Sequence, residues 1–347
     1  MSRYLSHIHL FRGLSIIMIV CIHTRNSYSW SNTMIEDFFK VLFDNSTILF
    51  VFIAGFLFQY LNNTEFNFGK YFTKKLRFVM LPYIIISIPA ILNNLFLKSD
   101  IIWMPESIQG NYGLEVAYMI LTGKQLGPFW FMPMIFIFFS LAPFFLFVNK
   151  KKFYFYVFPI IFIFGLFTYK FGYFSNTLES FIHYLPVYLF GMFASFFQKE
   201  ISKSGQIILP SLTILYLVLF FLEYNNFVSV PYLNNFNDAA NEPFLVFNPS
   251  MFRQLILCII LLLALEGRQS KRFNIFIILG DYSFGIYFLH IYVIIIIKRV
   301  IDIVLPNYES NLFSYLILSI LVILISSTIV RLIKRITGSK SRYFIGS

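Results

Sequence analysis

The chain has 347 residues, of which 58% are apolar and only 12% are charged, and its formal net charge is +11. Soluble domains average roughly 45–50% apolar and 25% charged residues, so this composition excludes an ordinary soluble protein, a disordered chain and a disulfide scaffold. Since a transmembrane helix takes about 20 residues, the apolar content suffices for about ten spans. The composition therefore predicts an all-α, polytopic membrane helix bundle.

The apolar runs predict ten spans in chain order. They cover residues 9–29, 39–60, 78–97, 128–148, 153–172, 180–198, 207–224, 252–266, 275–297 and 313–333. We expect the first run to be a retained helix, because no small-residue cleavage site follows it. The longest hydrophilic stretches are too short for a folded domain of roughly 50 residues. Residues 1–347 are therefore predicted to form a single transmembrane domain with a basic tail at about 334–347.

The lysines and arginines divide unequally between the two sides of this bundle. With a cytoplasmic N-terminus, 19 of the 27 basic residues fall on the cytoplasmic side and 8 on the other side. Cytoplasmic loops of membrane proteins carry an excess of Lys and Arg. The distribution predicts that both termini are cytoplasmic and that the number of spans is even. The positive charge thus marks topology, and we expect no nucleic-acid partner.

Arg12 and His23 lie 11 residues apart in the first predicted span. On an α-helix this separation is about 20° more than three turns, so both side chains share a face, with a rise of about 16.5 Å between them. With Arg12 at the cytoplasmic headgroups, His23 lies near the middle of a hydrocarbon core about 30 Å thick. A neutral imidazole there can accept a proton or act as a nucleophile. The alternative is that His23 hydrogen-bonds between helices and Arg12 reaches lipid phosphates.

A basic cluster precedes the third predicted span on the cytoplasmic side. It comprises Lys70, Lys74, Lys75 and Arg77. Several cations close together suit a ligand that carries several phosphate charges. The same residues are also explained by helix orientation and by contact with lipid headgroups. Charge alone leaves both interpretations open.

Residues 280–290, with the sequence Gly-Asp-Tyr-Ser-Phe-Gly-Ile-Tyr-Phe-Leu-His, open the ninth predicted span. His290 lies inside the membrane and is either a second catalytic group or a structural hydrogen-bond partner. Gly285 allows another helix to approach closely. Asp44, near the outer end of the second span, is a candidate to orient an imidazole or bind a hydroxyl group. Trp130 either lines a cavity or lies at the membrane interface.

Signatures of several other site types are missing from the sequence. The histidines are scattered, and Cys21 and Cys258 do not have the spacing of metal ligands, so no metal is predicted. Neither a Walker loop nor a Gly-x-Ser-x-Gly motif occurs. Aromatic residues of the outer loops, such as Trp103 and Tyr112, either bind a sugar or form an interfacial belt.

These motifs together resemble the acyltransferase 3 family, whose members are multi-span membrane enzymes that O-acylate carbohydrates, usually with acetyl from acetyl-coenzyme A. Residues 11–23 resemble the first helix of the family, in which ten residues separate an Arg from a His. Four further segments are similar to family motifs in the family order: residues 50–56, 74–83, 128–132 and 283–290.

The resemblance implies a membrane-bound O-acyltransferase in the bacterial cytoplasmic membrane. It would transfer acetyl from cytoplasmic acetyl-coenzyme A to a hydroxyl of a cell-surface polysaccharide, such as O-antigen or capsule, or of its lipid-linked precursor. Expected partners are membrane lipid and the carbohydrate acceptor, with glycan-assembly proteins as further candidates. The implied site residues are Arg12, His23 and His290 for catalysis, Arg12, Lys74, Lys75 and Arg77 for the donor, and Asp44, Trp130 and Tyr287 for the substrate.

The sequence departs from the family pattern at two positions. Ala54 stands where the family usually has Ser, so any role of that hydroxyl is absent here, and Lys74 replaces an Arg, which loses the planar guanidinium group. No hydrolase-like domain is appended, so the resemblance is to single-domain members. The alternative function is a glycan exporter or flippase, which moves a lipid-linked sugar without an acyl donor.

Overall fold

The structure, a computed structural model, describes residues 5–62, 66–97, 103–168, 176–228, 247–266 and 274–347. Within these ranges the chain forms helices joined by turns, and no β-strand occurs. The predicted all-α class is therefore confirmed. Each of the ten predicted spans coincides with one or two of the observed helices.

The α-helices of the described ranges are numbered here in chain order. They are α1 (Ser6–Arg25), α2 (Thr33–Phe43), α3 (Thr47–Leu61), α4 (Phe68–Lys75), α5 (Leu81–Phe96), α6 (Tyr112–Thr122), α7 (Phe131–Ser140), α8 (Ala142–Val148), α9 (Lys151–Tyr156), α10 (Phe158–Gly165), α11 (Thr177–Phe196), α12 (Gln198–Tyr224), α13 (Pro249–Leu265), α14 (Asn274–Val304), α15 (Leu312–Thr337) and α16 (Ser341–Ile345). A π-helical turn, Leu76–Met80, joins α4 to α5, and a 3₁₀ turn, Gly127–Trp130, precedes α7.

The predicted number of ten membrane spans is not confirmed. In the described part of the chain six helices are long and apolar enough to cross a membrane, or up to eight if each of two bent pairs is one span. The predicted fifth span contains two short helices, α9 and α10, and the predicted eighth corresponds to the 17-residue α13. Apolar composition marks a membrane segment but does not encode where the backbone bends, such as the 54° between α7 and α8. The side on which the termini lie stays a prediction.

The helices α1 and α14 approach each other at two glycines. A Cβ atom added to Gly13 would overlap the backbone carbonyl of Phe276, and one added to Gly280 would overlap the carbonyl of His9. Only glycine permits two helix backbones to pack this closely. Beside this contact, Nδ1 of His9 lies 2.5 Å from a carboxylate oxygen of Asp281. The contacts at Gly13 and Gly280 therefore determine the point at which α1 and α14 pack most closely.

A second pair, α3 and α11, is packed in the same reciprocal manner. A Cβ atom on Gly55 would overlap the carbonyl of Tyr188, and one on Gly191 would overlap the carbonyl of Phe52. The ring of Tyr188 also stacks on Phe138 of α7, with 4.5 Å between the ring centroids. This aromatic packing joins α7 to the α3–α11 pair.

A buried ion pair ties α12 and α13 to the end of α2. The side chain of Arg253 is completely buried, and its Nε and Nη2 atoms donate to the two carboxylate oxygens of Glu223 at 3.0 and 3.2 Å. Its Nη2 atom also donates to the backbone carbonyl of Val41 at 2.5 Å. The sequence places both residues near span ends but does not predict that they pair, because they lie on different helices.

Substitution of the contact glycines tests the close packing of the helices. We expect Gly13→Ala and Gly191→Ala each to lower the free energy of unfolding by about 1–3 kcal/mol or more, because the new methyl group overlaps a backbone carbonyl. Thermal unfolding of the purified protein in detergent measures the effect. Gly113→Ala is the matched control, because a Cβ there meets only ordinary contact at 3.5 Å. Equal melting temperatures for all three variants would contradict the packing described.

Removing the charge of Glu223 tests the buried ion pair. We expect Glu223→Gln to destabilise the protein by about 3–5 kcal/mol, because Arg253 is left buried without a counter-charge. The control is Glu36→Gln, which removes the partner of Arg25 from a more exposed pair at 2.9 Å. A pair that keeps part of its solvent exposure contributes less than a fully buried one. A loss at Glu223 no larger than that at Glu36, measured by thermal unfolding, would show that the buried pair is dispensable.

Candidate functional site

A cavity of about 820 Å³ is lined by side chains from several helices. Its walls come from α1, α3, α4, α7 and α14, from the turns that precede α5 and α7, and from residues that follow α15. This volume falls within the range of roughly 300–1,000 Å³ that is usual for small-molecule sites. Arg12 and His23 both line it, as their shared helix face predicts.

One feature of the cavity is its excess of positive charge. Among the described residues that line it, five are cationic and none is an aspartate or glutamate; the cations are Arg12, Lys70, Lys74, Lys75 and Arg342. Arg12 lies close enough to Lys75 for their like charges to repel. Like charges gathered at a partly buried surface are costly unless an anion binds between them. The arrangement therefore favours a ligand with several negative charges.

Lys75 is held in the cavity wall by two aromatic rings. Its ammonium nitrogen lies 4.4 Å from the ring centroid of Phe139 and 5.2 Å from that of Tyr71. Both distances are within the range of a cation–π interaction. Because the side chain is half-buried, these contacts restrict it to one region of the wall. Lys75 is thus a positioned cation and not a mobile surface charge.

Arg77 of the predicted donor site does not line the cavity. On α4 and the π-helical turn the lining residues recur every three or four positions: 67, 70, 71, 74, 75, 78 and 79. Arg77 falls outside that stripe and is exposed. The sequence groups Lys74, Lys75 and Arg77 as one cluster, but the helical period divides them between two faces.

The guanidinium group of Arg12 is anchored to α14. Its Nη2 atom donates to the hydroxyl oxygen of Ser283 at 2.9 Å. The hydroxyl of Ser283 in turn donates to the backbone carbonyl of Gly280 at 2.8 Å. Gly280 is one of the two contact glycines, so the close packing of α1 and α14 brings Ser283 within reach of Arg12.

His23 and His290 lie next to each other, although they are distant in sequence. Their ring centroids are 5.2 Å apart. His23 lines the cavity and is half-buried, whereas His290 is fully buried and lies behind it. Since Arg12 meets Ser283 and, further along both helices, His23 meets His290, α1 and α14 run in the same direction.

The hydrogen bonding of His290 determines the tautomer of its imidazole ring. Its Nδ1 atom lies 3.1 Å from the backbone carbonyl oxygen of Ile286. A carbonyl oxygen only accepts, so Nδ1 carries a proton and donates it. In the neutral ring, Nε2 is therefore an acceptor, and within the described ranges it has no hydrogen-bond partner. His290 thus offers a lone pair in a buried position beside His23.

Trp130 and Tyr287 also line the cavity. The Trp130 ring stacks on Tyr184, with 5.8 Å between centroids and 22° between planes. The hydroxyl of Tyr287 donates to the backbone carbonyl of Pro128 at 2.5 Å, which ties α14 to the 3₁₀ turn. Tyr287 therefore presents its ring, and not an open hydroxyl, to the cavity. Substrate binding by these residues stays a prediction.

Asp44, the third predicted substrate residue, is not among the residues that line the cavity. Its carboxylate accepts a hydrogen bond from Ser250 at 3.2 Å, and its backbone carbonyl accepts one from the side-chain amide of Gln254 at 2.7 Å. These bonds tie the corner between α2 and α3 to α13. A structural role thus accounts for Asp44 in this arrangement.

Several cavity residues received no role in the sequence analysis. Thr47 lies seven residues before Ala54 on α3, so helical spacing from that motif residue indicates its face. Ser283 belongs to the motif at 283–290, but nothing local identifies it as the partner of Arg12. Arg342 follows the last predicted span and carries no motif. In the part of the chain that is described, no three His, Cys, Asp or Glu side chains form a metal site.

Comparison with known protein families gives a match over most of the chain. A family model, Acyl_transf_3, described as an acyltransferase domain, matches residues 5–331. No curated protein and no solved structure matches the chain. The matched region contains Arg12, the basic residues of α4 and both histidines of the pair.

Proposed function

Since the chain belongs to the acyltransferase 3 family, it is an acyltransferase, and we propose that it transfers acetyl from acetyl-coenzyme A to a hydroxyl of a cell-surface polysaccharide or its lipid-linked precursor. The observation that carries this proposal is a single cavity. Its described lining residues include His23 and five cationic side chains but no aspartate or glutamate. A donor with phosphates at one end and a thioester at the other matches that order of groups.

The donor would bind with its phosphates against Arg12, Lys74 and Lys75. Apolar wall residues such as Ile53 and Leu57 would contact the uncharged pantetheine arm. Along α1 the rise from Arg12 to His23 is about 16.5 Å, which separates the phosphate region from the reacting carbonyl. We propose that the charged end faces the bacterial cytoplasm, which is the source of acetyl-coenzyme A, in line with the distribution of basic residues in the sequence.

His23 would act on the acceptor hydroxyl. As a general base it takes the hydroxyl proton while the oxygen attacks the thioester carbonyl carbon. The carbon–sulfur bond then breaks, and the coenzyme A sulfur leaves with the proton that His23 returns. The same position also allows His23 to attack first and carry the acetyl group until the acceptor arrives. Both routes give an O-acetyl ester and free coenzyme A.

His290 would orient His23 and would not touch the substrate. The ring centroids of His23 and His290 are 5.2 Å apart, and nitrogens at the facing edges of the two rings can be closer together than the centroids. This distance therefore allows His23 to donate an N–H to Nε2 of His290. The opposite nitrogen of His23 would then be unprotonated and available to the acceptor hydroxyl. This is the arrangement of a catalytic base oriented by a third group.

Substitution of the two histidines tests the assigned chemistry. We expect His23→Gln to reduce turnover by about 10²–10⁴-fold, because the base is lost, and His290→Gln to reduce it by less. The measurement is release of free thiol from acetyl-coenzyme A by purified protein in nanodiscs, with a membrane glycan extract as acceptor. Both variants should remain folded by size-exclusion chromatography. Full activity of His23→Gln would contradict the mechanism, and a wild type that neither binds nor consumes the donor would favour the exporter.

Lys75 lines the cavity and Arg77 does not, so substitutions of these two residues form a matched pair of variants. We expect Lys75→Gln to weaken coenzyme A binding by at least about tenfold, because a charge-assisted contact is worth about 1.5–3 kcal/mol. Arg77→Gln removes the same charge two residues away and should change affinity less than about twofold, since charges outside the cavity are screened. Isothermal titration with coenzyme A provides both values. Equal losses would show that the donor phosphates bind elsewhere.

A further inference from the structure

The cavity wall includes two residues from beyond the family match. Arg342 and Gly346 line the cavity, whereas the match ends at residue 331 and the last predicted span ends at 333. The segment that follows α15, residues 338–347, therefore contributes to the same cavity as Arg12 and Lys75. Its role is not covered by the family assignment.

A hydrogen bond holds this segment against α14. The backbone N–H of Gly285 donates to the hydroxyl oxygen of Ser347 at 2.9 Å. The hydroxyl of Ser341 donates to the backbone carbonyl of Ser347 at 2.7 Å, which closes the segment on itself. Ile345 is almost completely buried in a cluster of apolar residues to which α1, α5, α14 and α15 contribute. The segment is thus packed against the bundle and is not an extended tail.

Gly346 fits a position that a larger residue cannot occupy. Its φ of +69° is in the left-handed region that favours glycine. An added Cβ would overlap the ring of Phe284 and approach the backbone carbonyl of Phe78. Gly346 therefore lies between α14 and the π-helical turn, and it sets the distance of the segment from both.

The position of Arg342 suits phosphate binding. Its guanidinium carbon lies 4.5 Å from the ring centroid of Phe78, which also lines the cavity. This cation–π contact holds the guanidinium against the ring and leaves its edge N–H groups available for an anion. The basic residues that α4 contributes are lysines, which act as point charges, whereas a guanidinium can bind phosphate through two parallel hydrogen bonds.

We propose that residues 338–347 form part of the donor site and that Arg342 binds a phosphate group of the acyl donor. This inference rests on the proposed function, because it assigns the phosphates of coenzyme A to that end of the cavity. The chemistry recognised is a phosphate ester or diphosphate. A lipid headgroup carries the same chemistry, so the experiment includes bilayers with and without anionic lipid.

The first test compares two arginines of the same chain region. In nanodiscs of zwitterionic lipid, we expect Arg342→Gln to weaken coenzyme A binding by about tenfold in isothermal titration. Arg335→Gln, which removes the same charge at an exposed position of α15 outside the cavity, should change affinity less than about twofold. If Arg342 binds lipid instead, both variants will bind coenzyme A equally, and Arg342→Gln will lose thermal stabilisation by anionic lipid. That result would overturn the inference.

The second test moves the segment and leaves the charge in place. We expect Gly346→Ala to weaken coenzyme A binding about as much as Arg342→Gln, and the double variant to lose no more than either single one. Gly110→Ala is the control, because its φ is +83° but a Cβ there meets nothing within 4 Å. Independent losses that multiply in the double variant would contradict a shared role of the segment and Arg342.

The outcomes separate this inference from the proposed function. A wild-type protein that binds coenzyme A and releases thiol, with Arg342→Gln and Arg335→Gln indistinguishable, would overturn only the role of Arg342. A wild-type protein that binds no coenzyme A would remove the proposed function, and this inference with it.

Discussion

The close approach of α1 and α14 at Gly13 and Gly280 is the constraint on which the rest of the site depends. The two helix backbones are in direct contact at these glycines, which fixes the register of α1 relative to α14. The two helices carry the four side chains that form the pairs Arg12–Ser283 and His23–His290. At one end of the contact Ser283 anchors Arg12, and further along the two imidazoles meet. A shift of either helix by one residue would rotate these side chains by about 100° and separate both pairs.

Electrostatics distinguishes the cavity from the buried ion pair of Arg253 and Glu223. Arg253 is neutralised by Glu223 through two hydrogen bonds, so that pair needs no ligand and serves structure. The cations of the cavity, in contrast, have no aspartate or glutamate among the described residues that line the cavity. Such an arrangement favours an anionic occupant. A multiply charged acyl donor satisfies both the charge and the family assignment.

The donor site as proposed is assembled from parts that are distant in sequence and that differ in kind. The basic residues of α4 and the Arg–His face of α1 belong to the region that defines the family, whereas Arg342 and Gly346 follow it. In the proposal, the matched region supplies His23 and four of the cavity cations, and the segment that follows it supplies Arg342. The π-helical turn Leu76–Met80 lies where these parts meet, which fits the frequent occurrence of such turns at functional sites.

The sequence by itself determined the membrane-embedded, all-α class, the family and the shared face of Arg12 and His23, because composition and a 3.6-residue period are local properties. The tertiary structure decided what local patterns do not encode. In the described chain six helices, or up to eight if each of two bent pairs is one span, are long and apolar enough to cross a membrane, so the predicted count of ten is not confirmed. Packing between helices placed His290 behind His23, turned Asp44 toward α13 and brought Arg342 to the cavity. The helical period determines which residues of one helix share a face. Which residues of other helices contact that face is determined only by the packing of the helices.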